Sequence, residues 1–215
     1  MPKGTGRRGA AGAARSRYRD FARRGAHTAH GAATIRDDLT PTQADVLKEY
    51  TSAGYILVND ELRTPGGRSP SQMARAAEMT ANLDSVFDSP KARFQSNGVV
   101  YRGADGPIFD ALRAGTLRKG DVYEDKAFVS TSIDALLAAQ FSSRVLGEKT
   151  LLRIRVKKGQ RGLHVESVSG HRDERETLLP RGAKFRVRGV AQTLLPSKYR
   201  DVPAQAVNMI TVDML

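Results

Sequence analysis

The sequence predicts an α+β fold built as one main domain, on three observations. Two helix-start signatures fall early in the chain, alternating apolar residues dominate from Gly98 onward, and no strand–helix–strand alternation of the doubly wound kind links them. With 215 residues, 40% of them hydrophobic, the chain can fill one good core. No run approaches the ~18 apolar residues of a membrane span, so no transmembrane segment is expected. The basic N-terminus lacks the apolar stretch of a secretory signal peptide. The absence of cysteine removes disulfides, thiolate metal sites and a cysteine nucleophile. These features fit a cytoplasmic protein, or one delivered into a target cell without a classical signal peptide.

The charge is uneven. Of the net +12, residues Met1 to Arg36 contribute +8, nine Lys or Arg against Asp20. Residues 1–37 therefore read as a basic, solvated, disordered tail, and residues 38–215 as the folded domain. Such a tail attracts nucleic acid or an acidic surface.

The elements follow in order. Leu39-Thr40-Pro41-Thr42-Gln43 is a helix start, with Thr40 as N-cap, Pro41 at the first position and Gln43 closing a capping box. Leu47, Tyr50 and Ala53 continue at helical spacing, Gly54 is expected to interrupt, and Tyr55 to Leu62 reads as a second short helix. Ser69-Pro70-Ser71-Gln72 repeats the start signal, and Met73, Ala76, Leu83 and Phe87 form the apolar stripe of a third helix ending near Ser89-Pro90. Strands are expected at Val99–Arg102, Ala127–Ser130, Leu152–Val156, Gly162–Val165, Glu176–Leu179, Lys184–Val190 and Val207–Met214, with helices at Pro107–Ala114 and Ile133–Phe141.

Three short stretches carry chemical potential. Arg102 in Tyr101-Arg102-Gly103 ends a strand, where its guanidinium fork suits a diphosphate and Gly103 admits a ligand to the backbone. Ser130-Thr131-Ser132 presents alternate hydroxyls on one strand face, able to orient a carboxylate or a ribose, and Ser132 is also a candidate N-cap for the helix from Ile133. Glu174-Arg175-Glu176 runs into a strand. If alternation extends back from Glu176, the two carboxylates share a side and can divide labour, one stabilising a cation and the other taking a proton. Each stretch alone also has an ordinary structural reading. His27 and His30 form an HxxH without a nearby acid, and no metal site is expected. No Walker loop and no GxGxxG occurs.

Taken together and in this order, Arg102, Ser130-Thr131-Ser132 and Glu174-x-Glu176 resemble the arginine–serine–glutamate class of mono-ADP-ribosyltransferases, which includes bacterial exotoxins. Tyr50, Tyr55, Asn59 and Leu62-Arg63 look like the family's N-terminal helical signature, and Gly182 to Val187 like the strand after its glutamate motif. Phe141 and Arg144 are similar to a family pair that contacts nicotinamide and phosphate. The resemblance implies N-terminal helices followed by a two-sheet β core around an NAD cleft, with residues 38–215 as the catalytic domain. It implies NAD as co-substrate, a target protein with an accessible arginine as partner, and an arginine-specific transferase of the toxin or effector kind. Glu176 would then stabilise the positive ribose, Ser130 would hold Glu176, and Glu174 would orient the acceptor guanidinium. Arg102 and Arg144 would hold the diphosphate, Phe141 would stack on nicotinamide, and Gly103 would offer backbone groups to its carboxamide. Tyr55, Asn59, Thr131 and Ser132 complete the implied NAD site. Many relatives have an aromatic residue five positions before the catalytic glutamate, where this chain has His171. Two other readings stay open, an NAD glycohydrolase with water as acceptor, and a basic nucleic-acid-binding or virion-associated protein on the same scaffold.

Overall fold

A computed structural model describes residues 39–103, 106–142, 144–145, 148–169, 175–195 and 204–215, with backbone alone at 144, 145 and 148. The helical layer comes first, as α1 (Pro41–Glu49), α2 (Tyr55–Arg63) and α3 (Pro70–Phe87). Both capping boxes form: Thr40 with Gln43, and Ser69 with Gln72, each exchange satisfying two N–H groups that the first helical turn leaves without partners.

Gly54 does not break the helix. Residues Tyr50–Gly54 form a π-helical turn that joins α1 to α2 without interruption. Gly54 packs closely on α3: a Cβ there would lie 2.6 Å from the Met79 terminal methyl, the end of a flexible side chain, and 3.0 Å from the Glu49 carbonyl oxygen. The π turn also sets the phase of the layer. At about 100° per residue, nine residues of regular helix would put Tyr50 and Asn59 on opposite sides. One extra residue absorbed in a π turn removes about 100° of that rotation, and the two side chains meet, with Asn59 Nδ2 donating to Tyr50 Oη at 3.0 Å.

The remaining elements are β1 (Gly98–Arg102), α4 (Pro107–Arg113), β2 (Val122–Asp125), β3 (Val129–Ser132), α5 (Ala135–Gln140), β4 (Arg144–Val145), β5 (Glu148–Val156), β6 (Leu163–His164), β7 (Glu176–Leu179), β8 (Ala183–Leu195) and β9 (Gln205–Met214). The architecture is α+β, but the expected two sheets are hydrogen-bonded into one mixed nine-stranded ladder, β2-β8-β9-β5-β1-β3-β7-β6, with β4 on β5. Strand β1 is the joint. It pairs with β5 over five positions and with β3 only through Tyr101 and Ser132, so the ladder divides into two leaves that part at β1.

Local chemistry explains where strands begin. The strand expected over Ala127–Ser130 starts two residues later, because Asp125 Oδ1 accepts the Ala127 N–H at 3.1 Å and bends the chain ahead of it. The strand therefore runs through Ser132, and the next helix takes Asp134 as N-cap instead of Ser132, its carboxylate accepting from Leu136 and Leu137. Ser132 supports the turn one step earlier by accepting the Asp134 N–H at 3.1 Å.

Two cores hold the site between them. One packs the helical layer on the β3-β7-β6 leaf through Leu47, Tyr50, Val58, Met79, Leu83, Phe87, Phe128, Leu163 and Leu178. Here the Tyr50 ring meets Phe128 edge-on at 5.8 Å, and Phe87 stacks on Phe128. The other lies on the larger leaf, between α4 and the inward residues Val100, Leu152, Ile154, Phe185, Val187, Ile210 and Val212. On the opposite face, α5 covers Tyr101, Leu151 and Met209. Among the described residues, no helix is long and apolar enough to cross a membrane.

Candidate active site

A cleft of about 550 Å³ opens where the helical layer meets the split between the two leaves, within the range of small-molecule and cofactor sites. Its helical wall carries Tyr50, Tyr55, Asn59 and Arg63; its strand wall carries Arg102, Gly103, Ser130, Thr131, Ser132 and Glu176; and Phe141 lies at the rim, 57% exposed. The described residues singled out in the three short stretches thus converge from strands β1, β3 and β7.

The register explains the convergence. Ser132 pairs with Tyr101 on one side and Glu176 on the other, so three side chains form one row across the central strands. Ser132, rather than Ser130, is the direct cross-strand neighbour of Glu176; Ser130 pairs with Leu178, one step along. Ser130 instead lies towards the helical wall, close enough to the Tyr50 phenol to influence its ionisation. Thr131 faces away from that row and donates to the Thr177 carbonyl, locking β3 to β7 behind the site. Arg102 is buried, and its Nη1 donates to the Ser130 carbonyl at 2.9 Å. An arginine is almost never so enclosed without partners, and this one ties β1 to β3 as well as facing the cleft.

Tyr50 is fully buried and is the polar centre of the helical wall. Burial raises its phenol well above the ordinary tyrosine value, and the negative charge of Glu176 acts in the same direction, against the hydrogen bond from Asn59, the influence of Ser130 and the charge of Arg102. The phenol therefore stays neutral and can both donate and accept. Arg63 makes a two-pronged pair with Asp125, Nε to Oδ1 at 3.1 Å and Nη2 to Oδ2 at 2.9 Å, pinning the end of α2 to the β2–β3 turn.

At Gly103, beside the cleft, helix α5 packs against the backbone: a Cβ would fall 2.0 Å from the Ala138 carbonyl oxygen and 2.9 Å from the Ser142 nitrogen. Arg175, immediately before β7, has φ 47°, a left-handed conformation, so the pleat of β7 starts at Glu176. The Arg175 carbonyl accepts from Ile133, stitching this turn to the β3–α5 connection. Glu174 and His171 lie outside the described residues, as do His27, His30 and the tail; Arg144 is described by its backbone only, paired with Lys149.

Sequence reasoning missed Thr51, Ser52, Ile56, Asp60 and Ala138 in the lining, and Asp125 behind it. Recognising the π turn would have brought Thr51 and Ser52 to the cleft. Asp125 is 62 residues from Arg63, and no local pattern joins them.

Comparison with known proteins agrees with this geometry. The family model described as ADP-ribosyltransferase exoenzyme matches residues 27–211. The chain is 27% identical over 166 residues to the NAD(+)–arginine ADP-ribosyltransferase EFV of Enterococcus faecalis, covering 73% of this chain and 32% of that protein. It is 34% identical over 169 residues to Mav of Mycobacterium avium, provisionally named for the same activity, covering 76% of this chain and 18% of that one. The chain thus spans a third or less of the length of these relatives. In fold it is similar to Plx2a, an ADP-ribosyltransferase toxin from Paenibacillus larvae, with a TM-score of 0.66 at 19% identity over 91% of this chain and 96% of that one.

Proposed function

The chain belongs to the ADP-ribosyltransferase exoenzyme family, and from that premise we propose that it cleaves NAD and transfers ADP-ribose to arginine side chains of a target protein. The observation that carries this reading is Glu176, a carboxylate only 6% exposed at the cleft, with Arg102, Ser130 and Tyr50 gathered around it. Breaking the bond between the ribose C1′ and nicotinamide returns the electron pair to the ring nitrogen, which leaves neutral, and positive charge develops on the ribose. A preorganised carboxylate in a site screened from water stabilises that charge most strongly where it develops. In this reading Glu176 does so beside the ribose 2′-hydroxyl, and the Ser132–Tyr101 row with the Tyr50–Ser130 contact fixes the wall it stands on. Arg102 and Arg144 receive the diphosphate, and Phe141, Tyr55 and Asn59 border the nicotinamide end.

Arginine as acceptor rests on Glu174 and on the names borne by EFV and Mav. A guanidinium nitrogen attacks C1′ while a carboxylate takes the proton it loses. NAD is the co-substrate, and nothing in the proposed steps calls for a metal. Delivery into another cell or action in the cytoplasm are both compatible with the reading. The deciding experiment is incubation with labelled NAD and a host lysate, with mass spectrometry of the modified side chains. Glu176→Gln is expected to abolish both transfer and nicotinamide release with the fold retained, a barrier increase of ~3–4 kcal/mol, comparable to removing one oxyanion donor. Near-normal nicotinamide release by the folded variant would overturn the assignment, and labelled cysteine or asparagine with unlabelled arginine would overturn the acceptor.

A further inference from the structure

Outside the cleft, the broadest feature of unexplained chemistry is the outer face of the larger leaf. Its inner face is core, with Leu152, Ile154, Phe185, Val187, Ile210 and Val212 all buried. The alternate residues point outward, and among the described residues α5 covers the end that carries Tyr101, Leu151 and Met209. Over the rest, β5 presents Arg153 and Arg155, with Lys157 just beyond its end, and β8 presents Lys184, Arg186 and Arg188. Among the described residues of these strands and β2, the outward acids are Asp213 and Glu124, the latter paired with Lys184.

We propose that this face, two rows of cations on β5 and β8 flanking β9, is a docking surface for an extended acidic segment of a partner protein. Asp213 displays the mode of recognition. It lies on β9 between Arg155 and Arg186 in the register. One oxygen accepts from both Nε and Nη2 of Arg188, with the Nε contact at 2.6 Å, and the other lies 3.4 Å from Arg155 Nε. A carboxylate placed over β9 is thus gripped from both rows. Strand spacing puts the rows about 10 Å apart, and side chains along each repeat every ~6.7 Å. An extended acidic chain has the same repeat, so carboxylates two residues apart meet successive cations. Guanidinium forks favour such planar anions.

Other occupants fit less well. The uncharged outward members Val99, Val122 and Thr211 offer no ring on which a single-stranded nucleic acid could stack. A broad sheet face supplies neither a helix nor a two-stranded ribbon for a duplex groove. A second copy, or the chain's own basic N-terminal residues, would bring like charge.

The test uses the full chain and a fluorescent peptide of alternating Glu and Ser, its affinity read by anisotropy across salt concentrations. Arg155→Gln/Lys157→Gln/Arg186→Gln is expected to weaken binding about tenfold or more and flatten its salt dependence. Arg17→Gln/Arg19→Gln/Arg23→Gln/Arg24→Gln, in the N-terminal region, should retain most of the affinity. Arg153→Gln/Lys184→Gln, which leaves the Asp213 contacts intact, should weaken binding too and guards against misfolding of the first variant. Binding by both face variants equal to the parent's would overturn the proposal. So would tighter, face-dependent binding of a single-stranded oligonucleotide or of phosphatidylserine vesicles, which would make the partner a nucleic acid or a membrane. None of these readouts depends on the transferase reading.

Discussion

Replacing Gly103 by alanine separates two accounts of why a glycine ends β1. The added Cβ would sit 2.0 Å from the Ala138 carbonyl oxygen, so α5 must withdraw by about 1.4 Å to reach an ordinary 3.4 Å contact. Neither partner can yield by rotating a side chain, because both crowding atoms, Ala138 O and Ser142 N, belong to the backbone. Overpacking of this kind costs ~1–3 kcal/mol, equivalent to a fall in Tm of about 2–12 °C for a domain of this size. Helix α5 ends beside Phe141 at the cleft rim. A displacement of about 1 Å there is enough to lower turnover by up to ~10²-fold. Thermal unfolding followed by circular dichroism and nicotinamide release should be measured on one preparation, with a fall expected in both. Lost turnover at an unchanged Tm would show that a ligand, not the helix, excludes the side chain, and the packing argument would be refuted.

Other outcomes follow from the same geometry. Glu174→Gln is expected to suppress arginine modification while leaving considerable NAD hydrolysis, since water needs less help than a guanidinium; an equal loss of both would make Glu174 structural or directly catalytic. Arg63→Met strands Asp125, whose side chain is 8% exposed, and should cost about 2–3 kcal/mol, at the lower end for a broken buried pair because Arg63 is itself partly solvated. Asp125→Asn added to it should recover part of that loss; no recovery would mean the pair is not the cause. The Arg188 hydrogen bonds, helped by the charges of Arg155, Arg188 and Lys157, hold the Asp213 carboxyl below its ordinary value against the effect of burial. A carboxyl lowered on folding stabilises the fold above the ordinary unfolded value of about 3.9 and loses that contribution as pH falls through the lowered folded value. Parent protein should therefore lose Tm more steeply than Asp213→Asn below about pH 4, and identical slopes would remove Asp213 from the acid response.

The elements legible in the sequence are those whose partners are a few residues away. Thr40 with Gln43 and Ser69 with Gln72 close hydrogen bonds within one turn, so their pattern is local and was readable. The strand Glu176–Leu179 appeared at its expected bounds because a short apolar run after a turn has few other uses. Strand β2 escaped notice because Val122-Tyr123-Glu124-Asp125 is half charged and forms only at the sheet edge, against β8. The site residues on β1, β3 and β7 were found as separate triplets, and the family resemblance, not their spacing, joined them.

What the sequence by itself determined was the helices-first order of the elements, the capping boxes of α1 and α3, and most of the residues that line the cleft. Tertiary structure alone decided how those side chains are phased and who their neighbours are. The π turn ending at Gly54, with Met79 of α3 packed beside it, brings Asn59 to Tyr50. Ser132 rather than Ser130 stands opposite Glu176 through strand register, Gly103 gives way to α5, and Arg63 finds Asp125 across 62 residues. The reason is physical: a hydrogen bond within a turn depends on local backbone angles, whereas a cross-strand or helix–sheet neighbour depends on where distant segments come to rest when the core closes.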